Sequence, residues 1–166
     1  MNYGGKIIFV TTGTQEPFDR LIKAVDVIAG KLPETKFIVQ AFASTYVPVN
    51  IEVSKFITAT DFDHYIKHSD LIISHAGMGT IISALVNSKP IIVMPRLLKY
   101  GEHRNEHQLA TAKKLDSFGY IHVAYNEDDL IAKVLENWPN NLRCLHHVGH
   151  EASQSLIDSI NGFIKQ

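Results

Sequence analysis

Apolar residues along this chain alternate between short strand-length runs and stripes at helical spacing. The runs fall at residues 6–11 (KIIFVT), 36–41, 53–57, 71–74, 91–94 and 120–124, each of strand length. Runs with no polar alternation, such as 71–74 and 91–94, read as strands buried on both faces. Between them lie the stripes. Phe18, Leu21, Ile22, Val25, Ile28, Ala29 and Leu32 share one helix face after Pro17, and Pro33 ends it. A short helix is predicted over 61–68, with Thr60 or Asp61 as its N-cap. Ile81, Ile82, Leu85 and Val86 form the next stripe, closed by Lys89-Pro90. A helix over 106–115 follows, with Gly119 placed to cap it. Leu130, Ile131, Val134, Leu135 and Trp138 form another after the cap at Asn126, and a last helix is predicted over 153–164.

Strands that alternate with helices throughout imply a parallel sheet covered on both faces. The expectation is one α/β domain over residues 1–166, a Rossmann-like doubly wound sheet of about six strands. Such sheets bind ligands beyond the C-terminal strand ends, where the strand order reverses. The loops there are 12–14, 57–60, 75–80 and 96–108, and the polar and glycine residues concentrate in them.

Composition narrows the class. The chain has 166 residues, 45% hydrophobic and 20% charged, with net charge −1. Near neutrality gives no electrostatic footprint for nucleic acid. The single cysteine, Cys144, excludes an internal disulfide. No run approaches the ~20 apolar residues of a membrane span, and the first residues lack a signal-peptide core. The expected compartment is the cytoplasm.

The central stretch is LIISHAGMGTIISALVNSKPIIVMP, residues 71–95. It reads as strand, two-glycine turn, helix, strand. Glycines let backbone approach a ligand, and the helix start offers free N–H groups to an anion. Gly13 and Thr14 make a second such turn. If the first and fourth strands are neighbours, the two turns face each other and can hold a diphosphate. Neither turn has the spacing of a dinucleotide fingerprint or of a phosphate loop with its lysine. The stretch 96–108 supplies Arg96, Lys99, Glu102, His103, Arg104, Glu106, His107 and Gln108. Its cations suit a phosphate, and its neutral groups suit sugar hydroxyls. His103, Glu106 and His107 also match HxxEH, a zinc pattern. His146, His147, His150 and Glu151 are possible further ligands. Asp61-Phe62-Asp63 matches the DxD pattern of metal-dependent glycosyltransferases, yet reads better as a helix start.

Together these loops resemble glycosyltransferase family 28, in its C-terminal, donor-binding half. VTTGTQEPFDRLI is similar to the opening of the small subunit of the two-chain enzyme that builds dolichol-linked oligosaccharide. LIISHAGMGTIISAL and KPIIVMP resemble the shared donor block. KYGEHRNEHQ resembles the small subunits of bacterial exopolysaccharide and capsule transferases.

The resemblance implies one half of a GT-B glycosyltransferase and a UDP-sugar donor. Backbone at Ile57 would meet the uracil. Gly77, Met78, Gly79 and Thr80 would hold the diphosphate, His75 joins the nucleotide-sugar-binding residues, and His107 with Gln108 would face the sugar. Where related single-chain enzymes carry a ribose-binding glutamate, this chain has Ser83, which cannot bind two hydroxyls as a carboxylate does. The implied chemistry is inverting transfer to a polyprenyl-diphosphate-linked saccharide, without an essential metal or other cofactor. The implied partner is a membrane-anchored acceptor-binding subunit that carries the base and recruits this chain to the inner membrane face. The last helix is its expected dock. Two alternatives stay open: a non-catalytic enhancer of a partner transferase, and a zinc hydrolase using HxxEH.

Overall fold

Residues 5–149 are described in the computed structural model. The strands are β1 Ile7–Thr11, β2 Lys36–Gln40, β3 Val53–Ser54, β4 Leu71–His75, β5 Ile91–Met94 and β6 His122–Val123. All pair in parallel, in the order β3-β2-β1-β4-β5-β6. The helices are α1 Asp19–Lys31, α2 Ala59–His68, α3 Met78–Val86, α4 His107–Ser117 and α5 Glu127–Asn137.

The pleat explains why the central strands carry no polar alternation. Ile8 and Val10 of β1, Leu71 and Ile73 of β4, and Ile92 and Met94 of β5 point to one face. There they meet Leu21, Ile22, Val25 and Ile28 of α1 and Leu130 and Val134 of α5. Phe9, Ile72, Ile91 and Val93 point to the other face, against Ile66 of α2, Ile81 and Leu85 of α3, and Ala112 of α4. Both faces are covered, so both must be apolar.

The sheet order settles the condition set by the sequence. β1 and β4 are neighbours, with Val10 opposite Ile73 and Thr11 opposite Ser74. The chain leaves β1 toward β2 on one side and resumes beside β1 at β4 on the other. The strand order therefore reverses between β1 and β4, and a crevice opens at their C-terminal ends.

The β2–β3 connection has no helix and is lashed to α1 instead. Asp19 accepts from Ser44 Oγ at 2.7 Å and Thr45 N at 3.0 Å. Asp26 accepts from Tyr46 Oη and Asn50 N, both at 2.7 Å. Burial alone would raise the Asp26 pKa, but bonds from Val49, Asn50 and Tyr46 outweigh it and hold the carboxyl below its ordinary value.

Three expected boundaries shift. The N-cap of α2 is Thr58, not Thr60 or Asp61. Thr58 accepts from Asp61 N at 3.0 Å, and its hydroxyl donates to Asp61 Oδ2 at 2.7 Å. Asp61 is thus the third residue of the helix, bonded to the cap side chain through both its N–H and its carboxylate. β3 and β6 each shrink to two residues, since each is an edge strand with one neighbour. Ile57 therefore lies beyond β3. Among the described residues no helix is long and apolar enough to cross a membrane. The helix expected over 153–164 lies outside the described residues.

Candidate functional site: a crevice at the strand ends

β4 ends in His75, whose ring lies between the two glycine turns. A Cβ placed on Gly13, where φ is +76°, would come within 2.9 Å of His75 Cε1. One placed on Gly77 would overlap His75 Nε2, with Cδ2 and Cε1 each at 2.9 Å. Both glycines are therefore required by the histidine ring itself. Gly79 is different, because a Cβ there meets nothing within 4 Å. Gly77 is the N-cap of α3 and offers no side-chain cap. The first-turn N–H groups at Met78, Gly79 and Thr80 thus lack intrahelical acceptors and face the crevice end of the helix.

The His75 ring is largely buried. Burial first, then the positive charge of Arg96, push its pKa down to about 4, against a backbone contact to Thr11 that favours the proton. At neutral pH it is an uncharged imidazole. Its Nδ1 is buried without a hydrogen-bond partner among the described residues. A buried polar atom left unpaired at a crevice floor marks a place where bound ligand or water completes the structure.

Three adjoining cavities form one trench. The first, about 410 Å³, has apolar walls from Ile57, Ala59 and Phe62, with Gly13, Thr14 and Thr80 at its edge. The second, about 230 Å³, is polar and shares Gly13 and Thr14 with the first. It adds His75, Arg96, His103 and Gln108. The third, about 490 Å³, is lined by Gln15, Glu16, His103 and Arg104. Gln15, Glu16 and His103 border both polar cavities. A flat apolar ring suits the first space, an anion suits the middle, and a polyhydroxy group suits the outer end. Of the first turn of α3, Thr80 lines the first cavity, while Gly77, Met78 and Gly79 lie outside the walls of these three.

Arg96 corrects the sequence reading. It was expected as a cation for phosphate, but its side chain is committed to the protein. Nη2 donates to Thr12 O at 2.7 Å and Glu16 O at 2.6 Å, and Nε donates to Pro17 O at 3.4 Å. The residue is 3% exposed, and burial pulls its pKa down to about 10. Arg96 thus shapes the Gly13 loop from behind. Arg96→Lys is expected to lower stability by about 2 kcal/mol, since one ammonium cannot reproduce the planar fork. Urea unfolding measures this, and an unchanged midpoint would refute the clamp.

The remaining expected residues divide. Gln108 reaches the polar cavity, although its Oε1 already accepts from Arg96 N at 3.1 Å. His107 is exposed in the first turn of α4, outside the walls of these three cavities. The expected His107–Gln108 pair is therefore not brought together on the trench: successive helical residues point about 100° apart. Glu106 also turns away, its Oε1 accepting from Leu98 N at 3.2 Å. Ser83 sits half-buried one turn into α3. HxxEH does not form the helical pair it requires, because α4 begins at His107 and His103 lies in the preceding turn. Among the described residues no three His, Cys, Asp or Glu gather as metal ligands. Of the DxD pattern, Asp61 closes the α2 cap and Asp63 pairs with Lys67 at 2.6 Å.

Sequence reasoning missed the polar network behind the Gly13 turn. Thr11 Oγ1 donates to Gln40 Oε1 at 2.6 Å, and Gln40 Nε2 donates to Gly13 O at 3.0 Å and Lys55 O at 2.9 Å. The signal was present: Thr11 and Gln40 are polar residues that follow the apolar runs at residues 7–10 and 37–39. It also missed Gln15 and Glu16, which the Gly13 turn carries onto the trench.

Comparison with known proteins agrees with this architecture. The family model described as the glycosyltransferase family 28 C-terminal domain matches residues 7–160. The UDP-N-acetylglucosamine transferase subunit ALG13 of Cryptococcus neoformans is 32% identical over 117 residues, covering 68% of this chain and 56% of that one. The human protein of the same name is 32% identical over 130 residues, covering 70% of this chain and 11% of that one. The chain thus spans about half, or much less, of the curated relatives it matches. Among solved structures, the solution structure of ALG13 superposes with TM-score 0.59 at 23% identity, covering 94% of each chain. UDP-GlcNAc 2-epimerase from Neisseria meningitidis superposes with TM-score 0.61 at 16% identity, covering 95% of this chain and 44% of that one. At these identities the likeness speaks to fold. The match over residues 7–160 and the 32% identity go further: the chain belongs to the glycosyltransferase family 28 C-terminal domain family.

Proposed function

We propose that this chain is the donor-binding subunit of a two-chain, inverting UDP-sugar glycosyltransferase. The observation that carries this reading is the trench at the β1–β4 switch point. It joins an apolar space that reaches Thr80 of α3, a polar space lined by His75 with its unpaired Nδ1, and a polar outer space. That order is the order of base, diphosphate and sugar in a nucleotide-sugar. Uracil would lie against Ile57 and Phe62. The diphosphate would take the N–H groups of Met78, Gly79 and Thr80, together with His75. The sugar would extend toward Gln108, His103 and Arg104. The name of the relatives, which makes each a subunit of a UDP-N-acetylglucosamine transferase, supports both the donor class and the need for a partner.

In this reading the acceptor is a polyprenyl-diphosphate-linked saccharide held by a membrane-anchored partner. The partner recruits this chain to the inner face of the membrane, and exopolysaccharide, capsule or lipid-linked oligosaccharide synthesis is the setting. The helix N-terminus stabilises the charge that develops on the leaving diphosphate, a role filled by a divalent ion in other transferases. The expected result is therefore full transfer after exhaustive chelation. Complete loss that Mn²⁺ or Zn²⁺ restores would refute that part.

The test of the function uses the chain co-purified with its partner and a panel of UDP-sugars, UDP-N-acetylglucosamine among them. Saturable binding of one UDP-sugar, and transfer only by the assembled complex, is the expected result. No binding of any UDP-sugar by the complex would defeat the reading. Transfer by the isolated chain at the rate of the complex would defeat the division of labour.

A further inference from the structure

We propose that Arg20 and Glu102 are positioning residues that set the sugar end of the trench. The inference deepens the donor-site reading above and rests on it. Arg20 lies on α1, 82 residues before Glu102. Its Nε donates to Glu102 Oε1 at 2.9 Å and its Nη2 to Glu102 Oε2 at 3.0 Å, a two-pronged pair. Nη2 also donates to Pro95 O at 3.0 Å, and Nη1 to Glu127 Oε2 at 3.1 Å. The guanidinium sits 4.9 Å from the centre of the Tyr100 ring. The two side chains are 10% and 11% exposed.

A buried ion pair is a poor way to gain stability, because desolvation cancels much of its attraction. This one fastens a segment that has little structure of its own. Between β5 and α4 the only regular element is a single 3-10 turn, Leu98–Tyr100. Glu102 Oε2 accepts from Leu97 N at 2.9 Å as well as from Arg20, so one carboxylate ties the segment to itself and to α1. The residues that follow are His103 and Arg104. His103 lines both polar cavities and Arg104 lines the outer one. Among the described residues the Arg104 side chain makes no hydrogen bond or ion pair, and the His103 ring only accepts from Asn105 N at 3.4 Å. Neither holds itself in place. Their neighbour Glu102 does, and Arg20 holds Glu102.

The apolar cavity is built from other elements. Its walls come from the ends of β1 and β2, the loop after β1, residues 57–62 and α3, with none from 95–106. Loosening the Arg20–Glu102 pair therefore affects one end of the trench and spares the other. The test uses Arg20→Lys, which keeps the charge and loses the fork, and Glu102→Gln, which keeps an acceptor for Leu97 N and loses the charge. Uridine and UDP-sugar affinities are measured on the complex with its partner. Uridine binding is expected to stay within about twofold, while UDP-sugar binding weakens by about tenfold or more. In the ligand-free full chain, the His103 ring resonances are expected to shift in both variants, with those of His64 and His68 on α2 unmoved. Equal loss of uridine and UDP-sugar affinity, or an unchanged His103 signal, would overturn the proposal. If wild type binds neither ligand, the donor reading fails, while the His103 resonance still decides whether the pair positions that segment.

Discussion

Gly77→Val is expected to destroy both the fold of the crevice and donor binding, whereas Gly79→Val is expected to remove binding alone. The two glycines are two residues apart in one turn, yet they face different things. A side chain at Gly77 would occupy the space of the His75 ring. The ring lies between the two turns and would have to leave that position to admit the new side chain. Overpacking of this kind costs on the order of 3 kcal/mol or more. Gly79 lies in the first turn of α3 with open space where its side chain would be. Valine there is a slightly better helix former than glycine, so stability should hold or rise by a few tenths of a kcal/mol. In the proposed donor mode this open space is where the diphosphate approaches the backbone. Filling it should weaken UDP-sugar binding at least ~100-fold, about 2.7 kcal/mol. Thermal unfolding and a donor titration of the partnered chain separate the two effects. If Gly79→Val binds donor like wild type, the diphosphate does not sit at α3. If Gly77→Val unfolds at the wild-type temperature, the His75 ring is not confined as described.

The strands and helices were legible because burial on both faces of a parallel sheet leaves few polar residues inside it, and those, Thr11, Gln40 and Ser74, stand at or near the strand ends. Residues 71–74 and 91–94 could be little else. The adjacency of β1 and β4 was not legible, since any strand order satisfies the same pattern of apolar runs. It took the pairing of Thr11 with Ser74 to bring the glycine turns together. The glycine turns themselves were legible as a site, but the reason for each glycine was not. Gly13 and Gly77 both answer to His75, which ends β4 two residues before Gly77. The arginines show the limit most plainly. Arg96 and Arg104 look alike in a polar stretch. One reaches back 84 residues to the Thr12 carbonyl, and the other lines the open trench. Which carbonyls meet a guanidinium depends on the tertiary arrangement, and no local spacing encodes it. The α2 cap failed for a different reason. Thr58 and Asp61 already had the capping-box spacing, but Thr60 stood nearer the predicted start and competed for the role. The HxxEH match failed because its five residues straddle the start of α4 and do not lie on one helix.

Acid is expected to destabilise the chain in a window that belongs to His75. In the folded chain the ring has a pKa of about 4, while in an unfolded chain a histidine titrates near 6.5. Above about pH 6.5 the ring is neutral in both states and its neutral burial carries no penalty. As pH falls below that, the unfolded chain takes up a proton that the folded chain refuses. Stability then drops by up to about 1.4 kcal/mol per pH unit, and by about 3 kcal/mol in all near pH 4. Below that the folded ring protonates too and the slope from this group ends. Asp19 and Asp26 also have lowered pKa values, but their stabilisation is lost only as pH falls below the ordinary carboxylate range, so the windows separate. Urea unfolding at pH 7, 6, 5 and 4.5 should show this slope in wild type and its loss in His75→Gln. Equal slopes in the two proteins would assign the acid sensitivity elsewhere. If His75→Gln fails to fold, titration of the ring by NMR in wild type decides the matter, and a midpoint above pH 6 would contradict the burial argument. The same ring ties stability to function. A diphosphate bound beside it places negative charge where Arg96 and burial now disfavour the proton. Saturating UDP-sugar should therefore raise the His75 midpoint and flatten the acid slope in the partnered chain. A nucleotide-sugar that binds without moving that midpoint would have to lie away from β4.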